Sequence, residues 1–336
     1  MIRLLRPSTL LALLATLLAG CGSEPVKPAP PAAATVAPPP VLTPVRIGLA
    51  LGGGAAKGFA HIGVIKMLEA NGIRPDVVAG TSAGSVVGAL YAGGMDVFEL
   101  QRKAVALDES SIRDVRLFSG GLVQGRALQD YVNQQVGGRQ LQQLKLPFVA
   151  VATRLEDGER TVFDRGDTGQ AVRASSSVPG VFEPVAIGPW HYVDGGVVSP
   201  VPVDAARQLG ADFVIAVDIS SKASGKNPGD LLGTLNQSIA IMGRKAGREE
   251  LARADVVIRP QVDAIGATDF AQRNDAILLG EKAALAAMPQ IKARLDALRR
   301  QRAQAAAEAA RPKAPPCQPP SMLKKLTLRG KPCPVP

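Results

Sequence analysis

Two strand-to-helix junctions near the start of the central region constrain this chain more than any other feature. Val45 to Leu51 is apolar apart from Arg46 and Gly48, and it runs directly into Gly52-Gly53-Gly54-Ala55-Ala56-Lys57-Gly58. His61, Val64, Ile65 and Leu68 then recur at i, i+3, i+4 and i+7, the spacing of one helix face. A second strand, Asp76 to Ala79, ends in Gly80-Thr81-Ser82-Ala83-Gly84, and Ser85 to Ala92 continues as a helix. A strand, a glycine loop and a helix N-terminus together present backbone N–H groups to negative charge. The first loop is no P-loop, because Lys57 precedes a glycine and no Ser or Thr follows in place. Gly52-x-Gly54-x-x-x-Gly58 leaves a variant dinucleotide loop open, although no acidic residue ends a second strand at the distance such a loop requires. In the second junction a serine occupies a sharp turn, where glycines on either side leave room for a strained backbone.

The 336 residues carry a formal charge of +10, which would suggest a nucleic-acid partner if it were concentrated on one face. It is not: residues 45–291 hold 25 basic and 26 acidic side chains, and the excess lies at the two ends. Proline divides the same way, with eight of 27 in residues 22–44 and eight in 311–336, while all twelve aromatic residues fall between 45 and 291. Only that central block has the apolar surface to offset chain entropy. The expected organisation is therefore a leader over 1–20, a tether over 21–44, a folded domain over 45–291, a basic helix over 292–310 and a Pro-rich basic tail over 311–336. No nucleic-acid partner is expected.

Arg3 and Arg6 precede an apolar run from Leu10 to Ala19 that is too short to span a bilayer, as in an export signal. The run ends in Leu18-Ala19-Gly20-Cys21, which resembles the bacterial lipobox; an ordinary signal peptide with an incidental cysteine is the alternative. The resemblance implies acylation of Cys21 and a stable membrane anchor. Gly22 rather than Asp follows, which by the sorting rule of such lipoproteins favours the outer membrane, facing the periplasm of a Gram-negative-type cell. The Pro/Ala/Val segment from Gly22 to Pro44 would hold the domain off that surface. Cys317 and Cys333 both lie in the tail, where an oxidising compartment favours a bridge between them over two free thiols.

A nucleophilic serine ordinarily works with histidine, and the chain has two. His61 lies on the apolar helix face and reads as a core histidine with one hydrogen-bonded partner. His191 lies in Trp190-His191-Tyr192-Val193-Asp194-Gly195-Gly196, an alternating stretch that reads as a strand entering a tight turn, with Asp194 at its end. Further strands are expected near Pro147–Thr153, Arg160–Asp164, Phe213–Ser220 and Asp255–Arg259. They alternate with helices near Arg126–Val136, Val203–Leu209, Leu231–Arg253 and Phe270–Met288, a pattern that argues for a mostly parallel sheet between helices. Leu285 to Ala310, rich in Ala, Arg and Gln, is expected to be a long exposed helix with a basic face.

The loop Gly52-Gly53-Gly54-x-x-Lys57-Gly58, the elbow Gly80-x-Ser82-x-Gly84, the segment Ala174-Ser175-x-x-x-Pro179-x-x-Phe182-x-Pro184-Val185, and Asp194-Gly195-Gly196 resemble, in order, the four blocks of the patatin-like phospholipases. The resemblance implies a three-layer α/β/α fold with a mostly parallel sheet and Ser82 on a nucleophile elbow. It implies a serine acyl hydrolase acting on phospholipid or lysophospholipid esters through a Ser82–Asp194 dyad, with no metal or cofactor. Gly52, Gly53, Gly54 and Ala55 are then the expected oxyanion-hole segment, with Ala83 a further candidate donor, and Lys57, Gly80, Gly84, Gly195 and Gly196 are supporting residues. Lys57 departs from the arginine common in the family, keeping the charge but losing a planar bidentate donor. An ordinary aspartate is a poor base at neutral pH, so the site must raise its proton affinity or form the serine contact only in the complex. Two other readings remain: an α/β-hydrolase triad of Ser82, an intervening Asp and His191, and a catalytically silent lipoprotein binding module.

Overall fold

The computed structural model describes residues 43–107, 123–220 and 231–311. Among these residues eight strands form one sheet: β1 (Ile47–Leu51), β2 (Val77–Thr81), β3 (Phe148–Arg154), β4 (Arg160–Phe163), β5 (Val185–Ile187), β6 (Trp190–Asp194), β7 (Phe213–Val217) and β8 (Val256–Ile258). The order is β5-β6-β3-β2-β1-β7-β8, with β4 paired to β3. The run β3-β2-β1-β7-β8 is parallel throughout, whereas β4, β5 and β6 add antiparallel pairs at one side. The sheet is therefore mixed but mostly parallel, as the alternation of elements implied.

Side-chain alternation along the strands gives the sheet two buried faces. Leu49, Leu51, Val78, Phe148, Phe213 and Ile215 pack on one face against α1 (Phe59–Ala70), α2 (Ala83–Ala92), α3 (Val97–Ala106) and α4 (Arg126–Gln135). The same core includes the inner side of a long helix, Arg273–Ala309. Ala50, Val77, Ala79, Val149, Val214 and Ala216 face the other way, onto α6 (Val203–Gln208) and the Leu251 end of α7 (Leu231–Leu251). The small residues on this second face let α6 approach closely: a Cβ added at Gly48 would lie 3.3 Å from Ala206 Cβ on α6 and 2.5 Å from Ala211 Cβ just beyond it. One short helix, α5 (Thr168–Ser175), is capped by Asp167, whose carboxylate accepts from Gln170 N–H, and its Asn133 contacts tie it to α4. The result is the three-layer α/β/α architecture.

The C-terminal end differs from expectation. The chain forms one helix, α8 (Arg273–Ala309), with Pro289 inside it, rather than a domain ending at 291 and a separate exposed helix. The reason is packing: Ile277, Gly280, Ala284, Met288, Ile291 and Leu295 form one buried stripe at helical spacing that continues past the proline. This stripe outweighs the hydrogen bond that Pro289 cannot donate. The basic side chains are also engaged within the chain: Arg302 pairs with Asp212, and Arg294 donates to the Asp255 carbonyl. Helices α1 and α8 cross at two glycines, where a Cβ at Gly63 would sit 2.0 Å from Ile277 O and one at Gly280 2.0 Å from Ala60 O. No helix among the described residues is long and apolar enough to cross a membrane.

Candidate active site

Ser82 sits between β2 and α2 with φ 53° and ψ −125°, a left-handed backbone that a side chain disfavours by about 1–3 kcal/mol. Its surroundings hold it there. The Ser82 N–H donates to Ser175 Oγ at 3.0 Å, and Ser175 in turn donates to Val151 O on β3 at 2.6 Å. The Ser82 carbonyl accepts from Ser85 N–H and Ser85 Oγ, both at 2.7 Å. The flanking glycines are required by contact: a Cβ at Gly80 would be 2.5 Å from Gly84 O, and one at Gly84 2.2 Å from Leu51 O. The elbow is thus wedged against the end of β1, where the glycine loop begins.

Sheet register brings Asp194 to this point. β2 pairs with β3 as far as Thr81 opposite Val151, and β6 begins its own pairing with β3 one residue on, Asp194 opposite Ala152. The next residue, Gly195, is close enough that a Cβ there would meet Thr81 Cγ2 at 3.2 Å. The Asp194 backbone is anchored on both sides, its N–H donating to Ser177 O at 2.8 Å and its carbonyl accepting from Thr153 Oγ1 at 2.9 Å. Asp194 Oδ1 accepts from Gly196 N–H at 2.7 Å; Oδ2 is buried without a hydrogen-bond partner among the described residues, and the Ser82 hydroxyl lies near enough to the carboxyl to favour its ionised form. Burial pushes the carboxyl pKa up to about 6, opposed by Ser82 and the Gly196 N–H. A carboxylate of that basicity is ionised at neutral pH yet accepts a proton far better than an exposed aspartate.

The glycine loop meets the elbow closely: a Cβ at Gly53 would lie 3.1 Å from Ser82 Cβ, and one at Gly58 2.6 Å from Ala83 Cβ. Two of its expected donors are corrected by the structure. Gly52 N–H donates to Val217 O at 3.0 Å and Gly53 N–H to Pro200 O at 2.9 Å, because the loop is strapped to β7 and to the turn after β6. Gly54 and Ala55 N–H groups donate to no other group among the described residues, and Ala55 has φ 50°, a second strained non-glycine position. His61 is fully buried, and its Nε2 lies 2.8 Å from the Gly52 carbonyl. Burial lowers its pKa to about 4, so at neutral pH the ring is uncharged and Nε2–H donates. It is the core histidine that the sequence suggested, and it holds the loop. Lys57 is 5% exposed, and its pKa is lowered by burial against the opposing charge of Asp263.

His191 stands apart. It lies three residues before Asp194 on β6, roughly 10 Å along a strand and on the opposite face. Its side chain is exposed, with Nδ1 2.9 Å from Glu156 Oε1. The geometry does not support a triad through this histidine. Sequence reasoning placed Ser175 in a motif but missed its function as the clamp on the elbow. It also missed Ser199, whose carbonyl accepts from Thr81 Oγ1 at 2.9 Å and whose hydroxyl donates to the buried Glu250 at 2.7 Å. An isolated serine in a loop carries no signal for such a role. Cys21, Cys317 and Cys333 lie outside the described residues.

The fold and site together define a class: a three-layer α/β/α protein with a serine on a strained strand-to-helix turn and a buried aspartate beside it. Residues 49–207 form a patatin-like phospholipase domain, matched by the model of that family. It is 36% identical over 183 residues to an uncharacterized NTE family protein of Mycobacterium tuberculosis (strain ATCC 25618 / H37Rv), covering 54% of this chain and 51% of that one. It is 32% identical over 267 residues to lysophospholipase nte1 of Aspergillus niger, covering 70% of this chain and 17% of that one. It is also 34% identical over 190 residues to human patatin-like phospholipase domain-containing protein 6, covering 54% and 14%. The chain therefore spans about half the length of the mycobacterial relative and a small part of the other two.

Proposed function

We propose that this protein is a serine acyl hydrolase that cleaves phospholipid or lysophospholipid acyl esters, with Ser82 as nucleophile and Asp194 as proton acceptor. The observation that carries this reading is the register of β2 and β6 on β3, which sets a buried, proton-affine carboxyl beside a serine held at positive φ. Ser82 Oγ attacks the ester carbonyl carbon as its proton passes to Asp194 Oδ2. The C=O electron pair moves to oxygen, and the oxyanion accepts from the free Gly54 and Ala55 N–H groups, each worth about 3 kcal/mol in such holes. Collapse restores the carbonyl and expels the alcohol, which takes the proton from Asp194. Water then attacks the acyl-Ser82 carbonyl, giving a proton to Asp194, and collapse of that adduct breaks the C–Oγ bond, returns the proton from Asp194 to Ser82 Oγ and releases the fatty acid. The loose Ser82–Asp194 contact suits a hydrogen bond that tightens when substrate arrives.

The patatin-like phospholipase domain and the names of the lysophospholipase relatives support a lipid ester as substrate. Labelling by a fluorophosphonate probe tests the chemistry: it should require Ser82, be lost in Ser82→Ala and persist in His191→Ala. A chain that never labels is the silent binding module instead. The reading includes export and anchoring through an acylated Cys21, supported by the Leu18-Ala19-Gly20-Cys21 sequence. Fractionation of a Cys21→Ala variant should move the protein from the outer membrane to the soluble periplasm; a variant still held as an acylated membrane protein excludes that anchor.

A further inference from the structure

We propose that the outward face of α7 is the surface by which this domain docks on an anionic phospholipid bilayer; this rests on the lipid-hydrolase reading above. Ile241, Arg244, Lys245 and Arg248 fall at i, i+3, i+4 and i+7 and are all exposed, Ile241 to 52%. None of the three cations has an ion-pair or hydrogen-bond partner among the described residues, in contrast to Arg253 on the following turn, which is held by Asp204. One exposed branched apolar side chain beside three unpaired cations complements a surface of phosphate headgroups over acyl chains.

The inner side of α7 explains why docking there would matter to the site. A Cβ at Gly243 would lie 3.1 Å from Gly196 O, and one at Gly247 3.4 Å from Pro200 Cγ, so the helix rests directly on the loop that follows Asp194. That loop supplies the Pro200 carbonyl that holds Gly53 N–H and the Ser199 carbonyl that holds Thr81 Oγ1. Buried Glu250, on the last turn of α7, accepts from Ser199 Oγ and from Asp204 N–H. A surface bound to α7 is thus bound to the helix that braces both the Asp194 loop and the glycine loop.

The test uses the full chain carrying Cys21→Ala, so that no acyl anchor contributes, and phosphatidylcholine vesicles with or without about one-third phosphatidylglycerol. The parent should partition onto the anionic vesicles and release as salt is raised. Arg244→Gln/Lys245→Gln/Arg248→Gln should weaken that partitioning on the order of 100-fold, near the limit for three surface cations, while kcat/KM on a soluble short-chain ester stays the same. Lys324→Gln/Lys325→Gln/Arg329→Gln, which removes charge from the tail, should retain most of the binding. Equal binding by the α7 variant and the parent overturns the proposal, as does loss of the whole effect in the tail variant or a parallel loss of ester turnover in the α7 variant. A parent inactive on the ester but binding vesicles through α7 supports the docking surface and removes the hydrolase reading alone.

Discussion

Asp194→Asn separates the two roles of the buried carboxyl. Its pKa stands at about 6, against 3.8 for the ordinary side chain. The folded protein therefore binds this proton more tightly than the unfolded chain does. Below about pH 4 both states are protonated and the group costs nothing. Between the two values the unfolded chain ionises first, and above about pH 6 the fold carries the whole penalty, roughly 3 kcal/mol at 1.36 kcal/mol per pH unit. Stability contributed by this residue is thus present at low pH and lost as pH rises through 6. Asparagine keeps the shape and an oxygen for the Gly196 N–H but has no charge to desolvate. The Asp194→Asn variant should match the parent in urea unfolding at pH 4 and exceed it by about 2–3 kcal/mol at pH 8, with unchanged m.

Turnover should move the other way. With no base the variant should lose on the order of 1,000-fold or more in kcat, and the acid limb of the parent's kcat/KM profile should bend near pH 6. A variant no more stable than the parent at pH 8 would mean that the carboxyl is solvated, and the argument for its basicity would fail. Preserved turnover in a variant that is more stable would remove Asp194 from the chemistry while leaving the burial argument intact.

Ser175→Ala removes both the acceptor for Ser82 N–H and the donor to Val151 O; chemical denaturation should show a loss of about 2 kcal/mol, and kcat should fall about tenfold with KM little changed as the elbow relaxes. Gly63→Ala gains roughly 1 kcal/mol in helix propensity but drives a methyl into the Ile277 carbonyl at 2.0 Å, so α1 and α8 must part, and a net destabilisation of about 2 kcal/mol or more is expected in thermal unfolding.

The central layers were legible because the strands obey simple rules. Buried parallel strands read as short apolar runs, and β1, β2, β3 and β7 were recognised on that basis. Short elements were not: β5 has three residues, and α5 has eight with Gly169 inside, too few repeats of either period to stand out from their surroundings. The sequence divides helix α8 because the balance of charge and the composition change near residue 290. The stripe that overrides this change shows only when Ile291 and Leu295 are counted with Ile277 and Ala284.

The site was legible where chemistry requires a residue type, and illegible where it requires a particular hydrogen bond. Ser82 and Asp194 stand out because a glycine-flanked serine and an aspartate at a strand end have few structural reasons to recur together. A glycine-rich loop, by contrast, announces donors without saying which are free. Gly52 and Gly53 look as available as Gly54 in the sequence. The difference is made by the carbonyls of Val217 and Pro200, which return from far along the chain to take the first two N–H groups. The neutral ring of His61 then fixes the Gly52 carbonyl by donating its Nε2–H. With Gly52 and Gly53 N–H bound, Gly54 and Ala55 are the loop's N–H groups left without an acceptor among the described residues, and they are the donors that remain for an oxyanion.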